Sequence, residues 1–471
     1  MQTKDNQILD FVLDLIQERA MSPSETNEII RKGFAPDALL KKIPFSLEED
    51  ALSSRELIKI IEKVIHYSLN TNHPYFMNQM FGKVQPVAHL ADLLISVFNT
   101  SMYTYEVAPV FTLMEKEVID QLSSKIWGEG IGDGVFTGGG SLSNMNALLL
   151  ARQQYKNQLK HQGLYTEKPF AIFVSEQGHY SFMKGVNFLG FGLDSLIKVP
   201  TLANAKIDVT QLEKAIQKAK KEGRVPLMLI GIAGTTISGT FDPIDTLGQI
   251  AKKHNMWYHV DAAFGGSQLF SEKLAYKLNG IAQADSVGWN FHKVMGMPLS
   301  TTTLLTREKG VLNEAFSVDA GYLFHEEDYD YNLGQKSLRG GRRPDVFKLW
   351  LSWKYKGNVG FTNHVEKLQI VAESFANKVV ANTDLELFTQ PETSIVLFRY
   401  KPHNLSLKTV NKLNKHIRNR IFNEGNKIFN FSEINNTIYL RCVFLDPDIS
   451  DQQLQLLIDD VVEKGEQLIG V

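Results

Sequence analysis

Ser286-Val-Gly-Trp-Asn-Phe-His-Lys-Val-Met-Gly296 is a short apolar run that ends in a polar turn, and the turn carries Lys293 directly after His292. A lysine held beside a strand end in apolar surroundings loses its proton more easily and can then attack an aldehyde to form a Schiff base. Taken alone, Lys293 reads more readily as an ordinary loop lysine, so its meaning depends on what the chain places around it.

Working outward, strands and helices alternate. Buried-strand runs fall at Phe170 to Ser175, Leu227 to Ala233, Trp257 to Val260 and Ser286 to Trp289. Helical spacing covers Thr210 to Lys221 and Pro243 to His254. This pattern predicts an α/β fold, a mostly parallel sheet covered by helices with right-handed crossovers. Ligands of such sheets gather beyond the carboxyl ends of the strands. The residues found there are Glu176 to Tyr180, Gly234-Thr235-Thr236, Asp261-Ala262-Ala263, and Asn290, His292 and Lys293. Earlier, Thr137-Gly-Gly-Gly-Ser-Leu-Ser-Asn144 runs into a helical stretch from Met145 to Gln158. Glycines before a helix let backbone N–H groups approach an anion, and Ser143 or Asn144 is placed to cap the helix. The loop is neither a Walker loop nor a dinucleotide fingerprint, and a purely structural Gly-Ser turn is its alternative.

The 471 residues suffice for two or three domains, with 43% hydrophobic and 22% charged residues as in ordinary globular proteins. A formal net charge of -2 gives no electrostatic reason to expect nucleic acid or an anionic membrane as partner. The single cysteine, Cys442, excludes an internal disulfide and suits a packed position in a reducing compartment. No apolar run is long enough to span a bilayer, the opening residues lack a signal-peptide pattern, and a cytosolic protein is expected. Histidine pairs such as His254 and His259 lack a metal-site context, and no metal is expected. Ile8, Leu9, Phe11, Val12, Leu15 and Ile16 form a helical face with no partner in its own segment, suited to packing on another domain or subunit. In the helix from Thr210 to Lys221, Leu212, Ala215, Ile216 and Ala219 form the buried face, and Lys214, Lys218 and Lys221 the solvated one.

One cofactor explains the strand-end set: pyridoxal 5'-phosphate. Lys293 holds its aldehyde, and Asp261 pairs with the ring nitrogen and keeps it protonated. His179 stacks on one ring face and the small Ala263 closes the other. The Ser141 to Ser143 loop holds the phosphate, and Thr235 offers a further hydroxyl.

These residues resemble the group II pyridoxal-phosphate-dependent decarboxylases, within them the glutamate / cysteine-sulfinate / aspartate decarboxylase branch. The resemblance runs from about Tyr75 to Leu468. It rests on His73 to Gln79, Asn99-Thr100 with Tyr103 to Phe111, Ser141 to Asn144, Val260 to Ala263, Asn290 with His292-Lys293, Gly321 to Phe324, and Asp345 to Trp350. It implies fold type I, the aspartate aminotransferase architecture, with an N-terminal helical segment (1–72), a large cofactor domain (73–344) and a small C-terminal α+β domain (345–471). It further implies a homodimer with sites at the interface. The cofactor set so implied is Gly140, Ser141, Leu142, Ser143, His179, Thr235, Asp261, Ala263, Asn290, His292 and Lys293. Tyr322 is implied as proton donor to Cα, from a segment that closes over substrate, beside Lys293, His179 and Asp261 as catalytic groups. Arg441 resembles the carboxylate-binding arginine, and Gln79 a residue near cofactor and substrate. Phe81, Ser101 and Tyr103 resemble the set of aspartate and cysteine-sulfinate decarboxylases, where a bulky Phe81 shortens the pocket. The expected reaction is therefore α-decarboxylation of L-aspartate to β-alanine or of L-cysteine sulfinate to hypotaurine, with glutamate as the alternative. Two positions depart from the family: Phe291 stands where it has Pro, and Phe264 where it has Trp. Arg339, Arg342 and Arg343 either reach a partner subunit's phosphate or form a solvated basic turn. An aminotransferase or sulfur-removing lyase of the same fold, and a scaffold without chemistry, are the rival expectations.

Overall fold

The structure, a computed structural model, describes residues 4–21, 29–30, 33–165, 167–318 and 330–469. Seven strands form the large sheet: β1 (Asp133–Thr137), β2 (Phe170–Ser175), β3 (Leu196–Val199), β4 (Val225–Ile232), β5 (Trp257–Asp261), β6 (Ser286–Asn290) and β7 (Thr302–Thr306). Their spatial order is β1-β7-β6-β5-β4-β2-β3. β7 runs antiparallel to both its neighbours, β1 and β6, and the pairs β6–β5, β5–β4, β4–β2 and β2–β3 are parallel. The six co-directional strands therefore end on one edge, at Thr137, Ser175, Val199, Ile232, Asp261 and Asn290.

Period-two alternation divides the strand side chains between two cores. Phe173, Leu229, Val260 and Val287 pack on one face, with Val118 and Leu122 of helix Pro109–Trp127 and Leu212 and Ile216 of helix Val209–Lys221. Ile172, Val174, Met228 and Ile230 pack on the other, under helices Gly140–Tyr155 and Ser181–Phe188. Burial on both faces explains why the strands read as unbroken apolar runs. Local signals set several helix starts. Ser53 and Glu56 form a capping box before helix Ser54–Tyr67, and the Asp208 carboxylate accepts from the N–H groups of Thr210 and Gln211.

A second sheet, in the order β10-β11-β9-β8, is antiparallel throughout and consists of β8 (Leu385–Leu387), β9 (Ile395–Tyr400), β10 (Asn430–Ile434) and β11 (Thr437–Val443). Its core contains Phe375, Phe398, Leu440, Phe444 and Leu457, together with the buried, unpaired thiol of Cys442. Helix Val346–Ala381 joins the two bodies. Val346 through Leu368 belong to the large core and Val371 through Val379 to the small one, with a kink at Gly357, whose φ is 65°. Tyr75, Phe76 and Met77 also pack into the small core.

Candidate active site

At the carboxyl edge of the large sheet lies a cavity of about 200 Å³. Each co-directional strand except the edge strand β3 delivers side chains to it. Gly140, Ser141 and Asn144 come from the helix after β1, Gln177, His179 and Tyr180 follow β2, and Ile232, Gly234 and Thr236 come from the end of β4. Asp261 and Ala263 come from β5, and Asn290, His292 and Lys293 from β6.

Helix Gly140–Tyr155 begins earlier than its sequence suggests. Its N-cap is Gly139, with no side-chain cap, so neither Ser143 nor Asn144 caps it. Gly139 has a φ of 125°, a region a side-chain-bearing residue rarely enters, and a Cβ at Gly140 would sit 2.7 Å from Asn290 Nδ2. The N–H groups of Leu142 and Ser143 bond to Gly139 O at 3.0 and 3.1 Å. Those of Gly140 and Ser141, in the first turn, lack an intrahelical acceptor and are available to an anion. The Ser143 hydroxyl is buried against Thr137 Oγ1 at 2.7 Å, and neither Leu142 nor Ser143 lines the cavity. Thr235 is likewise turned inward, with Oγ1 2.7 Å from Ser238 Oγ, and its neighbour Thr236 faces the cavity instead.

Asp261 is held from two sides. Oδ1 accepts the Ala263 N–H at 3.1 Å and Oδ2 accepts from Asn144 Nδ2 at 2.9 Å. The same amide nitrogen lies 2.9 Å from Ser181 Oγ, which is 2.8 Å from His179 Nδ1. Burial holds the His179 pKa below the usual histidine value, with Asp261 pulling the other way and Lys293 and Lys184 adding to the fall. His292 is pushed down to about 4 by burial, and its Nδ1 meets Thr301 O at 3.1 Å. Burial also lowers the pKa of Lys293, Asp261 opposes that, and the charge of Arg441 adds to it. The predicted nucleophile is thus biased toward the free amine. Asn290 Oδ1 is a buried acceptor without a partner among the described residues.

Phe291 and Phe264 are buried in the large core. The ring of Phe291 stacks on Trp289 at 5.0 Å, and its N–H donates to Thr301 O at 2.8 Å. A proline there has no N–H to give, so this chain fixes the turn before Lys293 by a hydrogen bond instead.

Arg441, on β11, is buried. It donates to Thr236 O at 2.6 Å, Ile237 O at 3.2 Å and Asn78 O at 3.3 Å. Neither Arg441 nor any other predicted substrate residue lines the cavity of the single chain. Gln79 is exposed, and Phe81 lies 5.9 Å from Phe76 against the small core. Ser101 Oγ accepts from Arg342 N–H at 3.2 Å, and the Tyr103 carbonyl accepts from Gly334 N–H at 2.9 Å. Tyr322 lies outside the described residues. Arg342 is neither solvated nor turned outward: it is buried, ion-paired with Glu115 and bonded to Met102 O at 2.8 Å. Arg343 pairs with Asp92 at 3.2 Å, and the Arg339 guanidinium approaches Gly138 beside the glycine turn.

A strand-end amine, an opposed buried carboxylate and a helix-borne anion cradle are the parts a flat phosphorylated aldehyde requires. The orphaned acceptor of Asn290 and the space kept open at Gly140 fit such a group. Residues 36–401 match the model of the pyridoxal-dependent decarboxylase conserved domain, and the chain belongs to that family. It is a pyridoxal-phosphate-dependent amino acid decarboxylase, a carboxy-lyase, of the glutamate / cysteine-sulfinate decarboxylase branch. It is 32% identical over 468 residues to the acidic amino acid decarboxylase GADL1 of Xenopus tropicalis, covering 96% of this chain and 91% of that one. The human GADL1 protein is also 32% identical, with 96% and 89% covered. The crystal structure of mouse CSAD superposes with a TM-score of 0.93 at 32% identity, covering 98% of each chain. Among the described residues no helix is long and apolar enough to cross a membrane.

Proposed function

We propose that the chain decarboxylates a short acidic L-amino acid, L-aspartate or L-cysteine sulfinate in preference to L-glutamate. The observation that carries the acidic substrate class is Arg441, a buried guanidinium with no carboxylate partner among the described residues, close enough for its charge to depress the Lys293 pKa. The preference for the shorter acids rests on the resemblance at Phe81, Ser101 and Tyr103. A guanidinium fork suits a carboxylate or sulfinate. The names of the relatives, which specify acidic amino acids, support the same substrate class.

When bound, pyridoxal phosphate supplies an electron sink for the pair left as the Cα–carboxylate bond breaks. The chain's own residues do the rest. Lys293 provides the amine that holds the aldehyde and yields to the substrate. Asp261, as an acceptor, keeps a proton on the ring nitrogen. Gly140 and Ser141 offer N–H groups to the phosphate, with the Asn290 and Thr236 side chains alongside. His179 and Ala263 flank the ring, and His292 braces the turn that aims Lys293. Arg441 holds a substrate carboxylate and so orients the amino acid. Tyr322, outside the described residues, is assigned the proton delivery to Cα.

Gln79, Phe81, Ser101 and Tyr103 fit this scheme as residues that complete the site across a homodimer interface. In support, Val97 and Val110 are 77% and 65% exposed in the single chain, beside exposed Leu93, Leu94, Phe98 and Val107. An apolar surface of that kind marks a contact between chains. The test is carbon dioxide release from aspartate, cysteine sulfinate and glutamate. One methylene is worth about 1–3 kcal/mol, so kcat/KM for the shorter acids is expected to exceed that for glutamate by roughly 10- to 100-fold. Glutamate matching or surpassing both overturns the substrate assignment, and a keto acid formed without carbon dioxide overturns the reaction.

A further inference from the structure

Beneath the cavity runs a series of hydrogen bonds whose donor direction is set link by link. A carboxylate only accepts, so the atom of Asn144 facing Asp261 Oδ2 at 2.9 Å is the amide nitrogen. That NH2 group has a second proton for Ser181 Oγ, also at 2.9 Å. The Ser181 hydroxyl, accepting there, gives its own proton to His179 Nδ1 at 2.8 Å, and the Ser181 backbone N–H points at the same nitrogen at 3.2 Å. Two donors converge on Nδ1, so it is the bare nitrogen and the imidazole proton sits on Nε2. On the other side Asn144 Oδ1 faces His259 Nε2 at 3.4 Å. His259 Nδ1 meets Ser286 Oγ at 2.9 Å, and that oxygen takes the Trp257 indole N–H, also at 2.9 Å. The bonds thus run in one sense from Trp257 to His179. Asn144, Ser181, His259 and Ser286 are each at most 2% exposed, so water has little access to reverse a link.

We propose that Asn144 is a positioning residue: by facing its amide nitrogen to both Asp261 and Ser181, it fixes His179 as the neutral Nε2–H tautomer. His179 then presents a hydrogen-bond donor and a ring face to the cavity and has no free lone pair with which to withdraw a proton from the substrate. The same amide gives Asp261 its second donor. One side chain therefore prepares both groups that flank the cofactor. This rests on the reading that the cavity holds the pyridoxal ring, although the tautomer itself exists without it.

The test uses the full chain without cofactor, labelled with 15N in the imidazoles of its 12 histidines. The His179 signals are assigned by their loss in His179→Gln. The expected spectrum shows a protonated Nε2 and a bare Nδ1 at neutral pH. In Asn144→Leu the Ser181 hydroxyl is free to turn away, Nδ1 loses a donor, and His179 protonates at higher pH than in the parent chain. Ser181→Ala removes that donor directly and serves where Asn144→Leu does not fold, with the same expected direction. In the loaded enzyme the acid limb of the kcat profile moves up with it, while KM changes less than about threefold. A proton on Nδ1 in the parent chain, or variants that titrate as the parent does, overturns the proposal. Because the spectra need no cofactor, a correct tautomer together with no cofactor capture at Lys293 would count against the cavity assignment alone.

Discussion

Replacement of Arg441 by methionine removes a buried charge whose pKa, pulled down by burial to about 10, still leaves it cationic at neutral pH. Its bonds to Thr236 O, Ile237 O and Asn78 O use three of the five N–H groups, leaving two for an incoming carboxylate. Hydrogen bonds to charged groups contribute about 1.5–3 kcal/mol each, so losing two lowers kcat/KM by roughly 10²- to 10⁴-fold. Most of the loss should fall on KM, because the carboxylate is held before as well as during the reaction. The assay is steady-state decarboxylation of aspartate, with thermal melting and the visible absorbance of bound cofactor as checks that the fold and loading survive. A second readout follows from charge. Arg441 lowers the Lys293 pKa, so its removal raises that pKa. Cofactor capture by the apo variant is then slower near neutral pH and recovers as pH rises. A folded, loaded variant whose kcat/KM lies within about threefold of the parent would refute the role of Arg441.

Two further outcomes concern stability. His259, His292 and His364 are each pushed from 6.5 down to about 4 by burial. Their folded pKa lies below the unfolded one, so the stability they contribute is complete above pH 6.5 and is lost as pH falls toward about 4, on the order of 3 kcal/mol each. Urea midpoints of the apo enzyme should drop markedly between pH 7.5 and 5.5, and equal midpoints contradict the three assignments. Arg342→Ala strands Glu115 in the core, where the two side chains are 2% and 1% exposed, at a cost of about 3–5 kcal/mol. Arg342→Met with Glu115→Gln should recover part of that loss, and a melting temperature unchanged by the single substitution counts against the buried pair.

The sheet was legible because its strands are buried on both faces. Phe170 to Ser175 is read to the residue, and β4, β5 and β6 differ only at their ends. The strand-end rule then located the cavity. Signals that depend on orientation were not legible. Thr235 and Thr236 are adjacent on a turn, and only the turn geometry decides which hydroxyl faces the ligand. Asn144 looks like a cap in sequence, yet its partners Asp261 and Ser181 arrive from two other strand ends. The run Arg-Gly-Gly-Arg-Arg reads as a solvated turn or a reach to a partner's phosphate because Glu115, which neutralises Arg342, lies 227 positions away. Ser101 and Tyr103 pack on the segment from Gly334 to Arg342 rather than around Lys293, a placement that local pattern does not carry.

The proposed site rests on Lys293 as the anchor for the cofactor. The direct measurement is to load the enzyme with pyridoxal phosphate, reduce with borohydride, digest and locate the cofactor's mass by peptide sequencing. The mass should lie on Lys293 and be absent in Lys293→Ala. A label on another lysine, or one that survives in Lys293→Ala, would contradict the account.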